Sequence, residues 1–120
     1  MTQEQKDLLL KDLCARLPYR VKVQYENEIF DVEYVCPMYE EVKLDNHETW
    51  TLSIEEVKPY LFPLSSMTEE QNLEYLSTCI GGNAYHPTSK TFDWYNKNHF
   101  DYRGLIPMGL AIDATGLNIY

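Results

Sequence analysis

The fold is decided by residues 19–37, YRVKVQYENEIFDVEYVCP, where apolar and polar side chains alternate on both sides of a short polar stretch. Alternation with a period of two is typical of a half-buried β-strand. The apolar face carries Tyr19, Val21, Val23 and Tyr25 before the turn ENE, and Phe30, Val32 and Tyr34 after it. The stretch therefore predicts a β-hairpin that ends at Pro37.

Further strand-like segments follow at short intervals, namely EVKL, TWTL and KPYLFPL. Ser53 and Glu56 form a capping box, which predicts one helical turn before the last segment. Because proline cannot donate to a sheet ladder, Pro59 and Pro63 make that segment an edge strand or a covering segment. Residues 19–64 are thus predicted to form a β core. Its architecture is either a small antiparallel sheet, left open and packed on a helix, or an SH3-like barrel.

Helices are predicted on both sides of this core, which makes the chain a single domain of the α+β class. In residues 1–18, Thr2 and Gln5 form a capping box. A one-face helical spacing then joins Leu10, Leu13, Cys14 and Leu17.

Residues 65–120 form a helical and apolar C-terminal region. A helix begins at Thr68, whose capping partner is Gln71, and turns Leu73, Tyr75 and Leu76 inward; Gly81, Gly82 and Asn83 end it. A last helix is predicted over residues 90–98. The tail that follows is too apolar to be disordered, so we expect it to be buried against its own domain or another chain.

The charge balance limits the possible partners. Ten basic and nineteen acidic side chains give a net charge of −9, and no basic run occurs. Non-specific binding to nucleic acid is therefore excluded, since it requires cations that neutralise phosphates. A small anionic ligand in a local pocket and mimicry of a nucleic acid's negative surface both stay open. The acidic strand residues Asp31, Glu33, Glu40, Glu41, Glu55 and Glu56 are expected to lie on the outside of the sheet.

Cysteine usage and hydropathy indicate a protein of the cytoplasm. The three cysteines are widely spaced and odd in number, which fits neither a zinc site nor a disulfide framework. No secretory leader and no membrane-spanning run is recognisable in the sequence. No cofactor and no metal site are expected, because the three histidines lie in separate segments.

The stretch HFDYRGLI carries the residues closest to a catalytic set. His99 and Asp101 would share one side of an extended segment, where a carboxylate can orient an imidazole. A hydrolase would still need a nucleophile, Cys79 or a serine, and none of these lies in a known nucleophile motif. The favoured interpretation is a clasp in which His99 and Asp101 end the last helix and Arg103 pairs with the acidic surface.

Aromatic residues surround the same stretch and form the candidate site for a ligand or a partner. Rings with a neighbouring guanidinium can stack on a planar anion such as a nucleotide. The candidate residues are Trp94, Tyr95, His99, Tyr102 and Arg103.

Three stretches, LLLKDLCARLPY, VKPYLFPLSSMTEEQ and HFDYRGLIPMGLAIDATGLNIY, resemble a group of small uncharacterised proteins of gut anaerobic bacteria and their phages or prophages. The resemblance implies an accessory gene of a mobile element and brings no catalytic residues. The predicted function is therefore a non-enzymatic binding protein, phage- or prophage-associated, that acts on a host component and self-associates. The alternatives are a protein that sequesters a nucleotide signal, and a small hydrolase that uses His99 and Asp101.

Overall fold

A tight hairpin begins the sheet of the computed structural model, which describes residues 1–48, 50–81 and 85–120. Strand β1 (Lys22–Tyr25) pairs antiparallel with β2 (Glu28–Cys36), and Tyr25 lies opposite Glu28. The two turn residues, Glu26 and Asn27, have φ angles of 49° and 64°. Two consecutive positive φ angles define the turn whose twist matches that of the strands. The predicted hairpin and its turn are confirmed.

The sheet has six strands in the order β4-β3-β2-β1-β5-β6. The remaining strands are β3 (Glu41–Leu44), β4 (Leu52–Ser53), β5 (Lys58–Leu61) and β6 (Ile112–Asp113). All neighbours are antiparallel except β5 and β6. Among the described strands β4 and β6 lie at opposite edges, so the sheet is open. The α+β class is confirmed, whereas the SH3-like barrel is not.

Strand β5 lies inside the sheet, which corrects the prediction of an edge or covering segment. On one side Pro59 lies opposite Val23 of β1. On the other side the pairing with β6 involves Tyr60 and Leu61 alone. The ladder with β6 thus begins after Pro59, where every residue of β5 has an N–H group to donate.

A bulge in β2 changes which side chains face the core. The register shifts between Val32, which lies opposite Leu44, and Tyr34. After the shift Val35 packs against the core, whereas Tyr34 is exposed. The predicted inward position of Tyr34 is wrong, because an extra residue in one strand reverses the alternation beyond it.

Helix α1 (Gln3–Arg16) covers the sheet and is capped by Thr2 and Gln5, as predicted. Of the predicted apolar face, Leu10 and Leu13 are buried, but Cys14 is exposed. The core joins this helix, the strands and the tail, and consists mainly of Leu9, Leu10, Leu13, Val21, Val23, Val32, Val42, Leu44, Leu52, Ile54, Val57, Leu61, Leu105 and Leu110.

Two short helices follow β5. The first, α2 (Glu69–Ser77), begins at the predicted cap of Thr68 and Gln71 but has no buried side chain, and Leu73 is 69% exposed. The predicted inward position of Leu73 is therefore wrong. Helix α3 spans Ser89–Lys97. Gly82 and Asn83 of the predicted glycine cap lie outside the described residues.

The C-terminal tail lies against its own sheet. Leu105, Leu110 and Ala114 are buried, and the amide of Ala114 donates to the carbonyl of Leu61 over 2.8 Å. The prediction that the tail is buried is confirmed for these residues, which lie against the chain's own sheet, whereas Met108 and Leu117 are 44% and 51% exposed. None of the described helices combines the length and the apolar character needed to cross a membrane.

Candidate functional site

Hydrogen bonds hold the C-terminal part of α2 against α3. Thr91 is fully buried, and its hydroxyl lies 3.0 Å from that of Thr78. The hydroxyl of Thr88 donates to the carbonyl of Thr78 over 2.8 Å. Farther along, the indole N–H of Trp94 donates to Glu74 over 3.3 Å. The two helices therefore form a hairpin whose outer side keeps its apolar side chains exposed.

A stack of tyrosine rings continues this attachment toward the core. Tyr75 stacks on Tyr95 with centroids 5.6 Å apart, and Tyr95 stacks on Tyr102 at 5.2 Å. The guanidinium of Arg103 lies 4.6 Å from the Tyr102 centroid, within the range of a cation–π contact. Burial, followed by the hydrogen bond with Tyr75, raises the pKa of Tyr95 far above its usual value. Tyr95, Tyr102 and Arg103 thus lie together, with ring faces directed at one another.

Trp94 adjoins this stack. Its ring is tilted against Tyr95 and lies parallel to Phe100, with centroids 5.4 Å apart. Phe100 is buried, so this stacking contact of Trp94 connects α3 to the core. Four of the five predicted site residues therefore form one cluster, and His99 lies outside it.

His99 is buried against Tyr120 instead. Its ring stacks on Tyr120 with centroids 3.6 Å apart, and its Nδ1 has no hydrogen-bond partner among the described residues. Burial, followed by the charges of Arg16 and Lys22, lowers the pKa of His99 to about 4. The imidazole is therefore neutral at physiological pH.

Asp101 serves the backbone rather than His99. Its two carboxylate oxygens accept from the amides of Leu105 and Ile106, over 2.8 and 2.9 Å. Asp101 therefore caps the turn that starts the tail, and not the end of α3 as expected from the sequence. The contacts around His99 include no orienting carboxylate among the described residues.

Arg103 lies in a buried ion network instead of on the acidic surface. Its Nη1 donates to Asp12 over 2.8 Å, and Asp12 also accepts from Nε of Arg16 over 2.8 Å. Asp12 and Arg16 are fully buried, and Arg16 further donates to the carbonyl of Phe100 over 2.6 Å. The prediction that Arg103 pairs with the acidic surface is wrong, because its partner is the buried Asp12. The network joins α1 to the tail and leaves Arg103 bonded within the chain.

A groove of about 710 Å³ opens between α2, α3 and the segment before α2. Its apolar lining comes from Leu64, Met67, Leu73, Tyr75 and Tyr95. Leu73 is 69% exposed and Leu64 is 40% exposed, so the apolar atoms face solvent. Apart from Tyr95, sequence reasoning did not place these residues in a site. The spacing of apolar residues could not identify the others as site residues. An apolar face of a helix has the same sequence pattern whether it packs on the core or lines a groove.

The rim of the groove is acidic. Glu69 lines it, and Glu70 follows in the first turn of the same helix. The sequence has no lysine or arginine between Lys58 and Lys90. The groove thus combines an apolar floor with a negative rim.

Comparison of the chain with protein-family models, with curated proteins and with solved structures gave no match. The function is therefore argued from the geometry of the described residues. These contain no group of three or more His, Cys, Asp or Glu side chains that could hold a metal ion.

Proposed function

We propose that the protein is a non-enzymatic binding protein, a phage- or prophage-associated accessory factor of the cytoplasm, which holds a segment of a host protein in the groove between α2 and α3. The observation that carries the proposal is the exposed apolar floor of this groove. The phage context rests on the resemblance of three sequence stretches.

Leu73 gives the groove its binding energy. A leucine side chain that moves from water into an apolar contact contributes about 1.5–3 kcal/mol. In the free protein Leu73 is 69% exposed, so most of that contribution is still available to a partner. Tyr75 and Tyr95, which stack on one another, supply a rigid wall beside it.

The acidic rim selects the partner. An amphipathic helix laid in a groove places apolar anchors on one face and can carry lysine or arginine at the edges of that face. Such an edge would lie beside Glu69. We therefore expect a segment with one or two large apolar anchors flanked by basic residues.

The two alternative functions have less support from the contacts. A nucleotide clamped by Tyr102 and Arg103 would have to displace Tyr95 and Asp12, which occupy them. A hydrolase would need a carboxylate to orient His99, whereas both oxygens of Asp101 accept from backbone amides.

The test uses a displayed library of random 16-residue peptides, panned on the full chain. We expect enrichment of peptides that combine apolar anchors with lysine or arginine. Synthetic copies, measured by fluorescence anisotropy, should lose at least about tenfold in affinity for Leu73→Glu, since one buried leucine contact is worth that much. Met38→Glu is the matched control, because Met38 is 85% exposed outside the groove and its substitution adds the same charge.

Two results would overturn the groove as the binding site. One is a library without enrichment; the other is a set of peptides that binds Leu73→Glu and Met38→Glu equally well. Self-association is a separate prediction, and sedimentation equilibrium over a range of micromolar concentrations checks it. A single monomeric mass throughout that range would remove self-association from the proposal.

A further inference from the structure

Three aromatic rings meet at the turn end of the β1–β2 hairpin, far along the chain from α2 and α3. The rings of Tyr25 and Phe30 lie at 54° with centroids 6.4 Å apart. The ring of His47 is nearly perpendicular to both, at 5.3 Å from Tyr25 and 5.2 Å from Phe30. Together they line a pocket of about 430 Å³, which we call the hairpin pocket.

Hydrogen bonds to its backbone hold the loop that carries His47 against the hairpin. The ammonium of Lys43 donates to the carbonyls of Leu44 and His47, over 2.7 and 2.9 Å. The amide of Asp45 donates to the carbonyl of Asp31 over 2.9 Å, which joins the loop to β2. The third ring is thus positioned by contacts that do not involve a ligand.

Carboxylates complete the hairpin pocket. Glu26, Glu28 and Glu48 line it beside the rings, and all three side chains are exposed. No lysine or arginine is among the described residues that line it. The pocket therefore presents negative charge to solvent, and its aromatic rings add the negative potential of their faces.

This combination is selective for one class of ligand. Negative charge disfavours an anion, and Mg²⁺ or Ca²⁺ needs several converging oxygen ligands, which the rings do not provide. An organic cation fits both parts, because its alkyl groups contact the rings while its charge interacts with the ring faces and the carboxylates. We propose that the hairpin pocket binds an alkylated ammonium group, carried either by a lysine side chain or by a small free amine. This proposal is independent of the groove between α2 and α3.

The experiment follows the backbone amide signals of the full chain by NMR during titration with four probes. Choline stands for the free amine, and N-acetyl-trimethyllysine amide and N-acetyl-lysine amide stand for side chains. The fourth probe, 3,3-dimethylbutanol, has the shape of choline without its charge. We expect the cations to shift the signals of Tyr25, Phe30 and His47 with saturation, and the neutral alcohol to leave them in place. The tighter of the choline and trimethyllysine arms identifies the source.

Two variants locate the binding. Tyr25→Leu removes one ring and should weaken the tightest cation about three- to fivefold. Its control is Tyr39→Leu, which removes an exposed ring outside the hairpin pocket. Glu28→Gln removes one carboxylate from an exposed position and gives a second test should Tyr25→Leu fail to fold.

The proposal is wrong under either of two titration outcomes, and under one outcome for the variants. In one, 3,3-dimethylbutanol shifts the same signals as strongly as choline, which would make the pocket merely apolar. In the other, no cation shifts the three signals at concentrations up to tens of millimolar. Equal binding by Tyr25→Leu, Glu28→Gln and the wild type would also place the cation elsewhere.

Discussion

Replacing Asp12 with asparagine tests the network that joins the two ends of the chain. The Asp12 carboxylate is fully buried and accepts three N–H groups, from Nε and Nη2 of Arg16 at 2.8 and 3.1 Å and from Nη1 of Arg103 at 2.8 Å. Asparagine keeps one acceptor oxygen but removes the negative charge and turns an NH₂ group toward a guanidinium. Arg16 would then be a fully buried cation without a counter-ion.

The expected loss of stability is large. Removing one partner of a buried ion pair costs about 3–5 kcal/mol, because the remaining charge stays desolvated. Arg103 is 14% exposed and can turn toward water, so the stranded charge is chiefly that of Arg16. Over 120 residues the unfolding entropy is about 0.25 kcal/mol/K, so the melting temperature should fall by about 12–20 °C.

The assay is urea and thermal unfolding followed by far-UV circular dichroism. Asp7→Asn is the matched control on the same helix, since Asp7 contacts Gln3 in an exposed position and its substitution should change stability by less than about 0.5 kcal/mol. Adding Arg16→Met to Asp12→Asn should restore part of the loss, because it removes the fully buried cation that Asp12→Asn leaves without a counter-ion. If Asp12→Asn and Asp7→Asn unfold within about 1 kcal/mol of each other, the network does not stabilise the fold as argued.

Three further predictions concern the tail and the aromatic stack. Burial lowers the pKa of His99 from 6.5 to about 4, so the unfolded chain binds a proton that the folded chain resists; stability should fall by about 3 kcal/mol as the pH drops from 6.5 to 4. His99→Asn, which tolerates the local φ of 61°, should flatten that slope in urea titrations, and an unchanged slope would contradict the assignment. The amide of Ala114, which donates to Leu61, should be protected in hydrogen exchange. Tyr120→Phe should reduce that protection, because it removes the hydroxyl contacts to Lys22 and Tyr60. Fast exchange of this amide in the wild type would show that the tail is detached. A panel of linear and cyclic nucleotides should leave the melting temperature unchanged, whereas stabilisation of about 2.7 kcal/mol at a hundredfold excess over the dissociation constant would restore the nucleotide alternative.

Local patterns predicted the elements of this fold better than their orientation. The cap at Thr2, the cap at Thr68 and the turn at Glu26 and Asn27 all depend on residues close in sequence, and each is confirmed. The bulge near Tyr34 is not local in that sense, because it depends on how β3 pairs with β2. Strand alternation can be read from one segment, but a shift of register requires knowledge of its partner.

The candidate site shows the same limit. The five residues selected from the sequence have side chains that could bind a ligand, but most of these already have partners within the chain. Tyr95 stacks on Tyr102, and Arg103 is bonded to Asp12. The partner of Arg103 lies in α1, at the other end of the chain. No spacing rule connects positions that distant, so the sequence indicated an acidic surface where the structure has a buried carboxylate.

These contacts separate the polar groups that are bonded within the chain from those that remain accessible to a partner. Polar groups near the tail are used internally, since Asp101 holds backbone amides and Asp12 holds two arginines. Groups that remain accessible lie elsewhere, on the outer side of α2 and around the β1–β2 turn. Both accessible regions pair apolar or aromatic surface with carboxylates. A partner that binds either of them is therefore expected to be cationic, and raising the salt concentration should weaken its binding because exposed charges are screened.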